Sequence, residues 1–153
     1  MDNSQAARTI FLIAALLEEQ GANPYRIRAY RRAAINMLRL PVDAGRFAAD
    51  GELRLPWLGE RLRRKLGELV TQGRMRFFEE LLAELPAEIR ALLSVSGVGP
   101  KTALRLVDEL QIRSVEDLAR AARQHRLQRL RGFGPRREAN LGAAAERLLA
   151  AAA

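Results

Sequence analysis

The sequence predicts an all-α protein made of two small helical domains, with no substantial sheet. Three observations carry that expectation. Apolar residues recur at helical spacing along most of the chain. Stretches that combine β-branched or aromatic residues with alternation are nearly absent. Prolines, glycines and small polar residues stand where helices begin and end. With 153 residues, 48% of them hydrophobic, the chain can form one compact domain or two small ones and bury a core.

The first helix is marked by Ile10, Ile13, Ala14 and Leu17 on one stripe, with Gly21 as its stop. In NPYRIRAYRRAAINMLRLP the second begins at Asn23, a good N-cap, followed by Pro24 at a position where the missing N–H is harmless. Pro41 ends the run. Ile27, Tyr30, Ala34, Met37 and Leu38 fall on its inner side, while Arg28, Arg31, Arg32 and Arg39 gather on the other. Leu58, Leu62, Leu66 and Leu69 line one face of a third helix, and Phe77, Phe78, Leu81 and Leu82 build the next. Pro86 changes the register, which places a domain boundary near residues 83 to 88, with domains at 1–84 and 85–153. Ser114 and Asp117 have capping-box spacing, although the box prefers Glu or Gln at the last position. The alanine-rich AAAERLLAAAA end is a helix former.

Composition excludes several chemistries. The chain has no cysteine and one histidine, His125, so disulfides, thiolate or imidazole zinc clusters and Cys/His or Ser/His catalysis are not expected. The apolar run IFLIAALL is eight residues long and is followed by Glu18 and Glu19, too short for a membrane span or a secretory signal. A cytoplasmic protein is the expectation. The net charge of +8 makes a polyanion the first partner to consider, and nucleic acid is the commonest. Arginine supplies almost all of that charge. Of 26 basic residues only Lys65 and Lys101 are lysine.

A repeat carries most of the functional information. LPWLGERLRRKL (55–66), VSGVGPKTALRL (95–106) and LRGFGPRREANL (130–141) each join an apolar residue, a tight turn and a new helix, roughly 35 to 40 residues apart. In the second, Gly97 and Gly99 permit positive φ and close backbone approach, and Pro100 opens a helix whose first N–H groups lack partners. Such a turn is an anion cradle, and Lys101 adds charge to it. These features are those of the helix-hairpin-helix motif, which binds DNA backbones without reading sequence. SGVGPKTA matches it strongly and GFGPRRE fairly. LPWLGERL is degenerate, because Trp57 stands where a hairpin glycine is usual.

From about residue 5 to 150 the chain resembles the N-terminal part of family X DNA polymerases, above all the bacterial form. The matching stretches are NPYRIRAYRRAA, LPWLGERLRRKLGEL, TQGRMRFFEEL, LLSVSGVGPKTALRLVDELQIRSVEDL and LRGFGPRREANL, in family order and spacing. The resemblance implies a lyase-type helical domain at 1–84, followed by a second helix-hairpin-helix domain at 85–153. It implies sequence-independent DNA binding in repair, preferring gapped or 5′-phosphorylated DNA, by a monomer that needs no cofactor. It also implies contacts to DNA from Arg26, Tyr30, Arg61 and Arg64 in the first domain. In the second they would come from Gly97, Val98, Gly99 and Lys101, and from Gly132, Gly134 and Arg136.

In lyase-active members a lysine six residues after the second hairpin glycine attacks the aldehyde of a 5′-deoxyribose phosphate. Counting from Gly59, Lys65 takes that place. A Schiff base requires a neutral primary amine, which guanidinium cannot supply. Arg61 and Arg64, together with partial desolvation, are expected to lower the lysine's pKa. Against this, Glu68 is placed to pair with Lys65, and Leu53 and Phe77 occupy positions that are lysine in lyase-active members. By the same resemblance a sodium or potassium ion is expected at the second hairpin when DNA is bound, on the carbonyls of Leu93, Val95 and Val98; the corresponding carbonyls of the first hairpin are those of Leu53, Leu55 and Leu58. The family's polymerase reaction belongs to a palm domain that nothing in these residues matches. A chain without polymerase activity of its own is therefore expected, standing alone or as a fragment of a longer polymerase. A non-catalytic structure-specific DNA-binding protein and a helical protein-interaction module are the other readings.

Overall fold

The computed structural model describes residues 1–153 and contains eight α-helices: α1 (Asn3–Glu19), α2 (Pro24–Arg39), α3 (Glu60–Gln72), α4 (Arg76–Ala83), α5 (Ala87–Leu93), α6 (Pro100–Leu110), α7 (Val115–Arg123) and α8 (Pro135–Ala152). A two-stranded antiparallel hairpin, β1 (Ala48–Ala49) and β2 (Glu52–Leu53), is the whole of the sheet. No helix is long and apolar enough to cross a membrane. The chain divides into two compact units, Met1–Glu84 and Leu85–Ala153.

In the first unit α1 and α2 pack together and α3 packs on β2. The α1 start is a reciprocal cap: Asp2 accepts from the Gln5 N–H at 2.8 Å, and the Gln5 side chain accepts from the Asp2 N–H at 2.8 Å. Asn3 then ties the 42–44 segment to α1, donating to the Val42 carbonyl and accepting from the Ala44 N–H. Gly21 takes φ +69 and stops the helix. Asn23 caps α2 through the Tyr25 N–H, and Pro24 occupies the first turn. Ile27, Tyr30, Ala34 and Met37 are buried as the spacing requires. Leu38 is not. It is 53% exposed, because one residue beyond Met37 turns the side chain about 100° around the helix.

Two further departures concern α3. Leu58 is buried but precedes the helix, in the turn, and Leu62 is only partly buried, leaving Leu66 and Leu69 as the inner stripe. The segment before α3 is a 3-10 turn (Ala44–Phe47) and the β-hairpin, not an α-helix. Asp50 and Gly51, at φ +53 and +77, form its two-residue bend. Gly67 on α3 explains how the hairpin docks so closely. A Cβ there would lie 2.3 Å from the Gly51 carbonyl oxygen.

In the second unit α5 packs with α6 and α7 with α8. Ser114 caps α7 through the Asp117 N–H at 3.0 Å, but Asp117 bonds back to the Arg113 N–H and not to that of Ser114. Half of the capping box forms, since the shorter aspartate side chain bonds one residue outside it. Gly142 lets α8 approach α7, where a Cβ would meet that of Ala122 at 2.7 Å.

Candidate functional site

The three repeated turns share one backbone hydrogen bond. Leu58, Val98 and Phe133 each donate their N–H to the carbonyl three residues earlier, Leu55, Val95 and Leu130, at 3.1 Å in every case. In the second and third turns the residue at the bend is a glycine with positive φ, Gly97 at +94 and Gly132 at +86. Trp57 fills that position in the first turn without entering the left-handed region, so a different bend closes the same hydrogen bond.

The glycine after each turn is the N-cap of the following helix, and Gly59, Gly99 and Gly134 are all extended, with φ between −76° and −99°. Gly99 therefore does not need positive φ, contrary to the expectation from sequence. Any residue could adopt its backbone, and a Cβ at any of the three would meet no atom within 4 Å. None has a side-chain cap. A serine or aspartate would cap each helix better, but its oxygen would occupy the terminal amides. Glycine leaves those amides and the space before them free for an outside acceptor. A cation follows two residues later in each copy: Arg61, Lys101 and Arg136, all exposed.

The carbonyls around the second turn are sparsely engaged within the protein. Val95 accepts one bond, from Val98, while no protein donor reaches the Leu93 or Val98 carbonyl. No group of three or more His, Cys, Asp or Glu side chains converges anywhere that would suit a divalent metal.

In the first unit a cavity of about 520 Å³ lies between the start of α2 and α3, and its lining includes Tyr25, Arg26, Tyr30, Arg61, Leu62 and Lys65. Tyr25, which none of the sequence motifs singles out, is largely exposed and carries Arg28 over its ring at 4.6 Å. An aromatic residue directly after an N-capping Asn-Pro was the available signal. Phe77 of α4 is the hub beside this cavity. The Lys65 Nζ lies 4.1 Å from its ring centroid, the Arg26 guanidinium 4.8 Å from it, and the Tyr30 ring stacks at 6.3 Å. Phe77 thus holds three of the expected site residues together. Leu53, the other departure from the lyase-active pattern, is fully buried in the core.

The Lys65 ammonium is held below the ordinary lysine value, first by partial burial and then by the positive charges of Arg26 and Arg61, with Glu80 acting in the opposite direction. Arg64 plays no part in this. It turns to Glu60 and Glu52, at 3.3 and 3.6 Å, and does not line the cavity. Glu68 does not pair with Lys65 either, because it accepts from the Arg76 N–H at 2.7 Å. Tyr30 is 2% exposed, and burial raises its phenol while the hydrogen bond and charge of Arg26 pull it back. In the register of Lys65, six residues after the N-cap glycine, the second and third copies carry Arg105 and Asn140. Only the first copy presents an amine there.

Comparison with known proteins divides the chain as the contacts do. Residues 1–75 match the helix-hairpin-helix domain family, and residues 89–151 match the SAM-like helix-hairpin-helix tandem family. The DNA polymerase/3′-5′ exonuclease PolX of Bacillus subtilis (strain 168) is 29% identical over 138 residues, 90% of this chain and 24% of that protein. The chain spans about a quarter of the length of this curated relative.

Proposed function

We infer, from a chain whose two helix-hairpin-helix domains match the N-terminal region of a bacterial family X DNA polymerase, that this protein binds DNA through its sugar-phosphate backbone. One observation carries the reading. The N-cap glycines Gly59, Gly99 and Gly134 are demanded neither by backbone conformation nor by packing, and they leave open space before unpartnered helix amides. Phosphate oxygens accept from such amides, and Arg61, Lys101 and Arg136 add charge beside them. Contacts of this kind are indifferent to base sequence and weaken steeply with salt. At the second turn the Leu93, Val95 and Val98 carbonyls would hold a sodium or potassium ion, which would place positive charge against a phosphate.

The finer part of the proposal concerns the first unit. Gapped DNA with a 5′-phosphate is its ligand, as in repair, with Arg26 and Arg61 holding the phosphate and Tyr30 steadying Arg26. Lys65 is the nucleophile of a 5′-deoxyribose phosphate lyase. Its neutral amine adds to the sugar C1′ aldehyde, and loss of water leaves the imine. The depressed pKa increases the neutral fraction available at a given pH.

Two measurements test this. Fluorescence anisotropy on gapped, nicked and intact duplex should show binding that falls with salt and varies little with base sequence. Gly99→Ala should weaken it without loss of helicity, and binding unchanged by that variant refutes the role of the glycines. Borohydride reduction on incised abasic DNA should trap a covalent adduct with wild type and none with Lys65→Arg. Equal trapping by both proteins, or none by wild type, removes the lyase assignment and leaves a non-catalytic DNA-binding protein.

A further inference from the structure

We propose that a groove between the second turn and α8 is an additional phosphate track, one that takes up a DNA strand beyond the phosphate at the turn's own amides. This rests on the DNA-binding reading. The groove measures about 350 Å³ and is lined by Ser96 and Gly97 of the turn and by Arg137, Asn140 and Arg147 of α8. Residues 137, 140, 144 and 147 follow helical spacing, so the three polar side chains share one face with Ala144 between them. α8 is set directly against the turn, since a Cβ on Gly97 would come 3.0 Å from the Leu141 side chain.

The charges are sorted for an anion. No carboxylate lines the groove. Both acidic residues of α8 are engaged elsewhere: Glu138 accepts from Gln128 and contacts His125, and Glu146 pairs with Arg123 of α7. The Arg147 and Asn140 side chains have no hydrogen-bond or ion-pair partner within the protein. Arg137 is pre-set, with its guanidinium 3.9 Å from the Phe133 ring centroid and a hydrogen bond of 3.2 Å to the Thr102 hydroxyl. One of its five N–H donors is used there, which leaves the others for phosphate oxygens, with little side-chain entropy left to lose.

Length identifies the occupant. Arg137 and Arg147 are ten residues apart, about 15 Å along the helix at 1.5 Å per residue. Donors spread over that distance suit successive phosphates of a strand and not a single free anion.

The test is anisotropy on a fluorescein-labelled gapped duplex across a sodium chloride series, with wild type, Arg147→Ala, Arg147→Lys and Arg90→Ala. Arg90 is exposed on α5, outside the groove, so its loss removes an equal charge elsewhere. Removing one phosphate contact should make the slope of log affinity against log salt shallower by about 0.9. Arg147→Ala should show that change, Arg147→Lys should restore the wild-type slope, and Arg90→Ala should retain it. An unchanged slope in Arg147→Ala, or an equal change in Arg90→Ala, overturns the track while DNA binding stands. Absence of wild-type binding overturns the DNA reading and the track together.

Discussion

Glu138 is the most buried charged residue in the chain, at 3% exposure, and its hydrogen bonds explain how it is tolerated. One carboxylate oxygen contacts the His125 Nδ1 at 2.8 Å and accepts from the Gln128 side chain at 2.7 Å, while the other accepts from the Gln128 N–H at 3.2 Å. Burial by itself would raise the carboxyl, but the bonds from Gln128 and His125 outweigh it and hold Glu138 below the usual carboxylate value. The unfolded chain therefore takes up this proton first as pH falls. The stabilisation is complete above the unfolded value, near 4.5, and disappears as pH drops through the folded one. Glu138→Gln is expected to lower stability by about 1–3 kcal/mol at neutral pH, because an amide N–H₂ would face a donor. Urea unfolding of wild type and variant between pH 7 and pH 3 checks both points: the gap should narrow on the acid side. Lys65 and Phe77 make a different point at this scale. Sequence alone singles out Lys65 as an amine among arginines, whereas Phe77 reads only as a departure from the lyase-active pattern, since only the fold shows that ring beneath Lys65 and Arg26.

Among the elements, α3 and its preceding hairpin show how one glycine fixes an entry angle. The first turn has no α-helix before it, and the short strands take that place by lying against Gly67. A methyl group at Gly67 would meet backbone and not the end of a flexible side chain, so relief requires the hairpin to move away. Gly67→Ala is expected to destabilise the first unit by about 1–3 kcal/mol, the usual range for overpacking, despite alanine's higher helix propensity. Chemical denaturation monitored by circular dichroism tests it. Equal or greater stability of the variant would show that the hairpin yields. The helices themselves were legible, because caps such as Asn23 and stops such as Gly21 act within a few residues of themselves. The hairpin is hard to read from sequence because its signal is the pair Asp50-Gly51, flanked by strands of two residues each.

For the whole molecule, each unit has its own buried residues: Ile10, Ile13, Met37, Leu66 and Leu69 in the first, and Leu92, Leu106, Leu118, Leu127 and Leu141 in the second. A fragment of residues 85–153 is therefore expected to fold alone, with helical circular dichroism and a cooperative thermal transition. A fragment that melts without a transition would mean that its core depends on the rest of the chain. Periodicity, caps and the repeated turn motif were enough to determine the all-α class and the position of each turn, since these properties are set by neighbours within about one helical turn. Tertiary structure alone decided the rest. It turned Arg64 toward carboxylates, gathered Arg26, Tyr30 and Lys65 around Phe77, buried Leu53 and freed the α8 face beside Gly97. Those outcomes depend on which distant side chains share a surface, and both burial and charge–charge interaction act across space and not along the sequence.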